Sequence, residues 1–374
     1  NARFLLFARS VLEISKILYW QPDIIHCNDW QSATIPLFLK TLYRDDDFFN
    51  ATRTVLSIHN LGYQGNFPAS TFSLTGLPES MFYPMSPIEF YNLFSFLKAG
   101  ISYSDLITTV SETYAQEIQS DPEFGCGLEG VLADRSAELF GILNGVDNEI
   151  WNPTKDQQIV RNYSQDDLDG KEENKKALLD QCGMKYNAST PVIGIISRLA
   201  DQKGFDLLAA VFDQIANLKM QMVVLGTGDE KYHQLFQQAQ KQHPDKFSIN
   251  IIFNDQLAHR IEAGSDVFLM PSRYEPCGLN QMYSLIYGTV PIVRATGGLA
   301  DTVIDVNENP RKGNGFVFHE YDALQLLDTI QRALTYYKDS KKWRSLQIRG
   351  MSQDFSWSNS AKKYVDIYDL ALKK

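Results

Sequence analysis

The chain is poor in cysteine: Cys27, Cys126, Cys182 and Cys277 are the only four in 374 residues, and none stands in a CxxC spacing. That pattern excludes a zinc ribbon and a disulfide framework and suits a reducing compartment. Long apolar runs are missing too, since the apolar blocks stop at five or six residues where a membrane span needs about 18. Positive charge is in the minority, with Lys plus Arg at 35 against Asp plus Glu at 45 and a formal net charge of -10. Non-specific attraction to nucleic acid or to anionic membranes is therefore not expected, and local cations must hold any phosphate ligand. There is no repeat of 20 to 50 residues and no low-complexity tract. The chain opens at Asn1 without an initiator Met, so the question of an upstream targeting peptide stays open.

What is present reads as folded protein: 44% hydrophobic and 21% charged residues are ordinary globular usage. The length suits two domains. Short β-branched runs alternate with helical periodicity, the pattern of parallel sheets covered by helices. Strands are expected near Ile24 to His26, Val55 to Ile58, Leu106 to Val110 and Ile142 to Val146, and a second series is expected at PVIGIIS, QMVVLG, INIIF, DVFLMPS and VPIVRA. The expected fold is α/β with two doubly wound, Rossmann-like domains. Residues 1–150 form the first domain, 151–190 a polar linker and 191–353 the second domain, while 354–374 form a final helix that packs back on the first. Open sheets of this kind bind ligands at the carboxyl ends of their strands, so the chemistry is expected in a cleft there.

Three strand-end motifs follow that rule. SRLADQKG brings Arg198 and Lys203 to the end of a strand, where a planar guanidinium fork and an ammonium point charge suit a diphosphate. Alone, it reads equally well as a solvated basic loop. In EPCGLNQ, Glu275 precedes Pro276 and Gly278, a rigid turn that aims a carboxylate at hydroxyl donors. In TGGLADTV, Gly297 and Gly298 sit between strand and helix, where bare N–H groups suit phosphate oxygens.

Together with HCNDWQSA, SIHNLGYQGNFP, FLKAGISYSD, TVSETYAQEI, LNGVD and DFSW, these motifs resemble, in family order and over essentially the whole chain, the retaining GT-B glycosyltransferases of the bacterial glycogen synthase and plant starch synthase family. EPCGL with TGGLADTV points to the branch that uses ADP-glucose. The resemblance implies a GT-B fold and transfer of glucose from ADP-glucose to an α-1,4-glucan, with no metal or other cofactor, in the cytoplasm or, for a plant-type enzyme, a plastid. Carried over residue by residue, it implies that Arg198 and Lys203 hold the diphosphate and Glu275 contacts the glucosyl unit. It further places His59 beside the sugar, Asp29 and Asn144 in the catalytic cleft, and the amides of Gly298 and Leu299 on the distal phosphate. Cys277, inside the motif, is expected to pack rather than react.

Two positions depart from the common pattern. Phe253 stands where a Tyr often stacks on adenine, and Phe keeps the π face. Asn280 stands where Thr is frequent, and it keeps both a donor and an acceptor for phosphate or ribose. The family's N-terminal Lys-x-Gly-Gly-Leu loop has no counterpart in the chain, so the first domain is expected to be incomplete and these 374 residues alone to have little transferase activity. Rival readings are a metal-binding DxD at Asp45–Asp47, better read as a solvated turn, and a phosphorylase-like or epimerising relative. A non-catalytic module that binds nucleotide sugar or glucan is the alternative from another class. The GTGD turn at Gly226–Asp229 lacks the third glycine of a dinucleotide fingerprint and is assigned to fold geometry.

Overall fold

A computed structural model describes residues 1–374. The chain divides into two compact units, residues 1–143 with 360–374, and residues 144–359.

The first unit holds a four-stranded parallel sheet in the order Ile24–Asn28, Arg53–Ile58, Leu106–Thr109, Leu139–Gly141. Its central strands are buried almost throughout, as parallel strands covered on both faces must be. The fourth strand ends earlier than the sequence suggests. Pairing stops at Gly141, and Val146 instead bridges Ser356 in the second unit. Gly145 has no room to continue a ladder, because a Cβ there would lie 2.4 Å from Trp357 Cα. From Ser360 onward the helix Trp357–Ala371 belongs to the first unit, where Ile367 and Ala371 pack on Val55, Leu106 and Ile142.

The second unit carries a six-stranded parallel sheet ordered Phe247–Asn250, Gln221–Leu225, Val192–Ile196, Val267–Met270, Val290–Arg294, Phe316–Phe318. Counted along the chain within this unit, that order is 3-2-1-4-5-6, the doubly wound arrangement. Alternate residues feed two cores. Ile193, Ile195, Met222, Val224, Val267 and Leu269 face one, and Val192, Val223, Leu225 and Phe268 face the other, as the period of two requires. The last strand, Phe316–Phe318, had no counterpart in the sequence reading because its three residues are too short to show a period. The third strand is Phe247–Asn250, not INIIF, so Phe253 lies beyond the sheet.

The polar stretch expected as a linker is part of the second unit. Ile159, Tyr163 and Leu168 share a buried cluster with Ala263 and Tyr287. Asp156 accepts from Tyr287 Oη at 2.5 Å and lies 2.8 Å from His259 Nδ1, while Trp151 stacks on His259 at 3.8 Å and on Tyr283 at 4.1 Å. Most of its charged residues face solvent, which is why composition alone reads as a tether, while Asp156, Lys171 and Lys175 are buried.

Candidate active site

In a sheet ordered 3-2-1-4-5-6 the chain leaves the neighbouring strands Val192–Ile196 and Val267–Met270 in opposite directions, which opens a crevice at their carboxyl ends. The loops that follow these two strands carry the SRLADQKG and PSRYEPCGL segments. They are joined backbone to backbone. Gly204, at φ +75°, ends the Asp201–Lys203 turn, and a Cβ there would sit 1.9 Å from Pro271 O, so only glycine permits the approach. Arg273 N donates to Gln202 O at 2.9 Å. The GTGD glycines close the other side, since Cβ atoms at Gly226 and Gly228 would lie 1.8 Å from Ser197 O and 2.2 Å from Leu199 O.

This clamping brings Lys203 Nζ to 2.6 Å from Glu275 Oε2. Ser272 Oγ donates to the same carboxylate oxygen at 3.1 Å. Glu275 is 7% exposed, and its acceptor capacity is held in place by two donors. The Lys203 ammonium has three N–H groups and one protein acceptor, Glu275. Arg198 is exposed, and its Nη2 donates to Gln202 Oε1 at 3.1 Å. The guanidinium is thus tethered to the same turn as Lys203 but not to Glu275.

The glycine pair acts differently from expectation. Gly298 N donates to Glu275 O at 3.2 Å and Pro276 O at 3.1 Å, and Leu299 N donates to Thr296 O at 3.0 Å. The Gly298 amide closes the turn that carries Glu275 and the Leu299 amide closes the first turn of its own helix, so neither stands open for a phosphate. A Cβ at Gly297 would meet Glu275 O at 2.1 Å and one at Gly298 would meet Cys277 O at 2.0 Å, so the pair is required for close loop packing. Asn280 is likewise committed, with Nδ2 donating to Ile196 O at 2.7 Å. Phe253 is 93% exposed, with both ring faces accessible.

Sequence reasoning gave no role to Gln281, which is fully buried and donates to Cys277 O, Gly278 O and Thr302 Oγ1. It ties the Glu275 turn to the helix Gly297–Thr302. Ser272 was missed as well. Gln281 ends EPCGLNQ and Ser272 ends the run DVFLMPS just before it, and an amide or hydroxyl close to a turn carboxylate is the signal that points to them. Cys277 is 6% exposed, and burial pushes its thiol up to about 12, so it packs and does not supply a thiolate. The backbone of Asn144 hydrogen-bonds that thiol, while Asn144 Oδ1 is buried and accepts no hydrogen bond.

In the first unit, Asp29 and His59 meet at the ends of adjacent strands. Asp29 follows the strand Ile24–Asn28 at φ +54°, a left-handed conformation costly for a residue with a side chain. The strain turns its carboxylate onto the next strand, where Oδ1 accepts from His59 N at 2.8 Å. His59 Nε2 lies 2.9 Å from Asn28 Oδ1. Beside them, His26 has both nitrogens engaged, Nδ1 with Tyr368 Oη at 2.8 Å and Nε2 with Ser57 Oγ at 2.7 Å. Burial, and then the nearby His59, lower its pKa to about 4. In the Asp45–Asp47 run, Asp46 pairs with Lys16 at 2.5 Å and accepts from Phe48 N at 3.0 Å, which makes the run a capped turn.

Comparison with known proteins bears on this arrangement. The model of the starch synthase catalytic domain matches residues 1–134, and that of the group 1 glycosyl transferases matches residues 185–347. The glycogen synthase of Thermosipho melanesiensis is 52% identical over 369 residues, 98% of this chain and 76% of that protein. The chain belongs to the glycogen synthase family. Its member from Thermotoga maritima is 51% identical over 99% of this chain and 76% of its own length. Among solved structures, the catalytic domain of starch synthase IV from Arabidopsis thaliana, bound to ADP and acarbose, superimposes with a TM-score of 0.91 at 36% identity, covering 100% of this chain and 77% of that one. Sucrose-phosphate synthase from Thermosynechococcus elongatus, with a TM-score of 0.61 at 18% identity over 97% of this chain and 77% of that chain, shares the fold. As a glycogen synthase family member the chain is a GT-B glycosyltransferase. No helix in it is long and apolar enough to cross a membrane.

Proposed function

We propose that the chain belongs to an enzyme that transfers glucose from ADP-glucose to the non-reducing end of an α-1,4-glucan with retention of configuration. The observation that carries this reading is the Lys203–Glu275 pair at 2.6 Å, set at the switch point of the second unit's sheet. A departing nucleoside diphosphate needs its growing charge neutralised more than it needs a proton. Lys203 supplies that charge with N–H groups to spare, and Arg198 adds a planar fork from the same turn. Glu275, held by Lys203 and Ser272, accepts from glucosyl hydroxyls. Phe253 offers its open ring to the adenine. Gly297 and Gly298 shape the Glu275 turn, Leu299 closes the start of the helix beside it, and Asn280 ties the helix that follows the turn to the end of the strand Val192–Ile196. His59 and Asp29 are hydrogen-bonding groups suited to sugar hydroxyls, and Asn144 Oδ1 is an acceptor without a protein partner.

In this reading no metal takes part, and transfer is insensitive to EDTA. Calorimetric titration with ADP, UDP and their glucose conjugates tests the donor class: tighter binding of the adenine pair is expected, and equal or tighter binding of the uridine pair overturns the assignment. The support from relatives is that starch synthase IV was solved bound to ADP and acarbose.

A further inference from the structure

The immediate neighbour of His59 has no role in the reading above. Asn28 ends the strand Ile24–Asn28 and is exposed, yet its backbone is fixed at both polar atoms: Asn28 N donates to Ser32 Oγ at 2.7 Å, and Ser32 Oγ donates to Asn28 O at 2.8 Å. The left-handed turn at Asp29 follows at once. The Asn28 side chain is thereby delivered across the sheet to the His59 ring, with Oδ1 at 2.9 Å from Nε2. The amide oxygen of asparagine can only accept. A ring nitrogen facing it must therefore carry the hydrogen, and in a neutral imidazole the other nitrogen is then the acceptor.

We infer that Asn28 is a positioning residue that fixes His59 as the Nε2–H tautomer and so presents Nδ1 as an acceptor for a sugar hydroxyl. Asp29 fixes the same residue from behind, through His59 N at 2.8 Å. Two consecutive residues at one strand end thus set the place and the tautomer of one imidazole. An amide suits the task because it orients the ring without adding charge beside it. The consequence for the sugar hydroxyl rests on the sugar-side reading of His59, but the tautomer itself does not.

The test is nitrogen NMR on the full chain labelled at histidine, with the His59 signals assigned through His59→Gln. The inference expects a protonated Nε2 and a pyridine-type Nδ1 in the parent. It also expects the same signature in Asn28→Asp, which keeps the acceptor, and a tautomer mixture in Asn28→Leu, which removes it. A protonated Nδ1 in the parent, the pattern produced if the amide NH2 faces the ring, overturns the inference. So does an unchanged tautomer in Asn28→Leu. Matching thermal melts for the three proteins exclude misfolding as the source of a change. The sugar-side reading is decided separately by transfer assays of His59→Ala, so the two ideas fail by different measurements.

Discussion

Two lysines in the second unit pair with carboxylates at opposite ends of one sheet, and they behave differently. Lys175, before the strands begin, lies 2.8 Å from Asp266 and also donates to Thr190 O and Tyr337 Oη at 3.0 Å each, with its side chain 2% exposed. Its three hydrogens are all placed. Lys203, where the strands end, has Glu275 as its single protein acceptor and a side chain 19% exposed. The first unit repeats the contrast with histidines. His26 has both ring nitrogens bonded within the protein, whereas His59 has one, through Asn28. A polar group whose bonding capacity is filled by its own chain holds the fold together, while one left partly unfilled at a strand end is available to a ligand.

The largest effect that would break this contrast concerns Lys175. Replacing it by Met strands the Asp266 carboxylate in a buried site, which costs about 3–5 kcal/mol. Chemical denaturation is expected to show that loss, with ADP affinity of the folded protein unchanged; a variant as stable as the parent would place Lys175 outside the set of structural cations. Lys203→Gln is expected to do the opposite. Turnover of the full-length protein falls by about 10²- to 10³-fold while the melting temperature stays close to that of the parent. A large loss of stability with unaltered turnover would reverse the roles assigned to the two lysines.

A third expectation, of about 1–3 kcal/mol, concerns the adenine side. Phe253→Ala removes a stacking surface and is expected to weaken ADP binding by roughly tenfold or more, whereas Phe253→Tyr restores it; equal affinities for all three would remove Phe253 from the site. With 93% of that residue exposed, no change in stability should accompany either variant.

The smallest effect sharpens the histidine comparison through pH. Burial lowers the His26 pKa from an ordinary 6.5 to about 4, so between these values the unfolded chain binds a proton that the folded chain refuses. Stability then rises with pH across that window, and it is lost as pH falls from about 6.5 towards about 4. A His26→Gln variant is expected to lose less stability over the same acid interval than the parent does. Parallel acid profiles for the two proteins would show that His26 does not contribute to acid sensitivity.

The strands of the second sheet were more legible in the sequence than the joints between them, because its buried strands are continuous apolar runs. Lys203 and Glu275 stood out as candidates because cations and carboxylates are conspicuous at strand ends, and their pairing at 2.6 Å is what the structure adds. The glycine pair was visible but misread. A glycine that clears a backbone oxygen and one that bares an amide to phosphate look alike in one dimension, and only the approach of Cys277 O to Gly298 separates them. The stretch 151–190 looked like a tether because its anchors, the partly buried Trp151 and the buried Asp156 and Tyr163, are spaced among solvated charges and carry no period. Ser272, Gln281 and Asn28 act on turns through single hydrogen bonds, which composition and periodicity do not register.

The most direct measurement is calorimetric titration of ADP into the full-length parent and its Lys203→Gln variant, with melting temperatures recorded beside it. Weakening of ADP binding by at least about tenfold, the loss expected for one charge-assisted hydrogen bond, with the melt preserved, is the result the account expects. Equal ADP affinity in the two proteins would contradict the claim that this ammonium, left with unfilled N–H groups at the switch point, holds the donor's diphosphate.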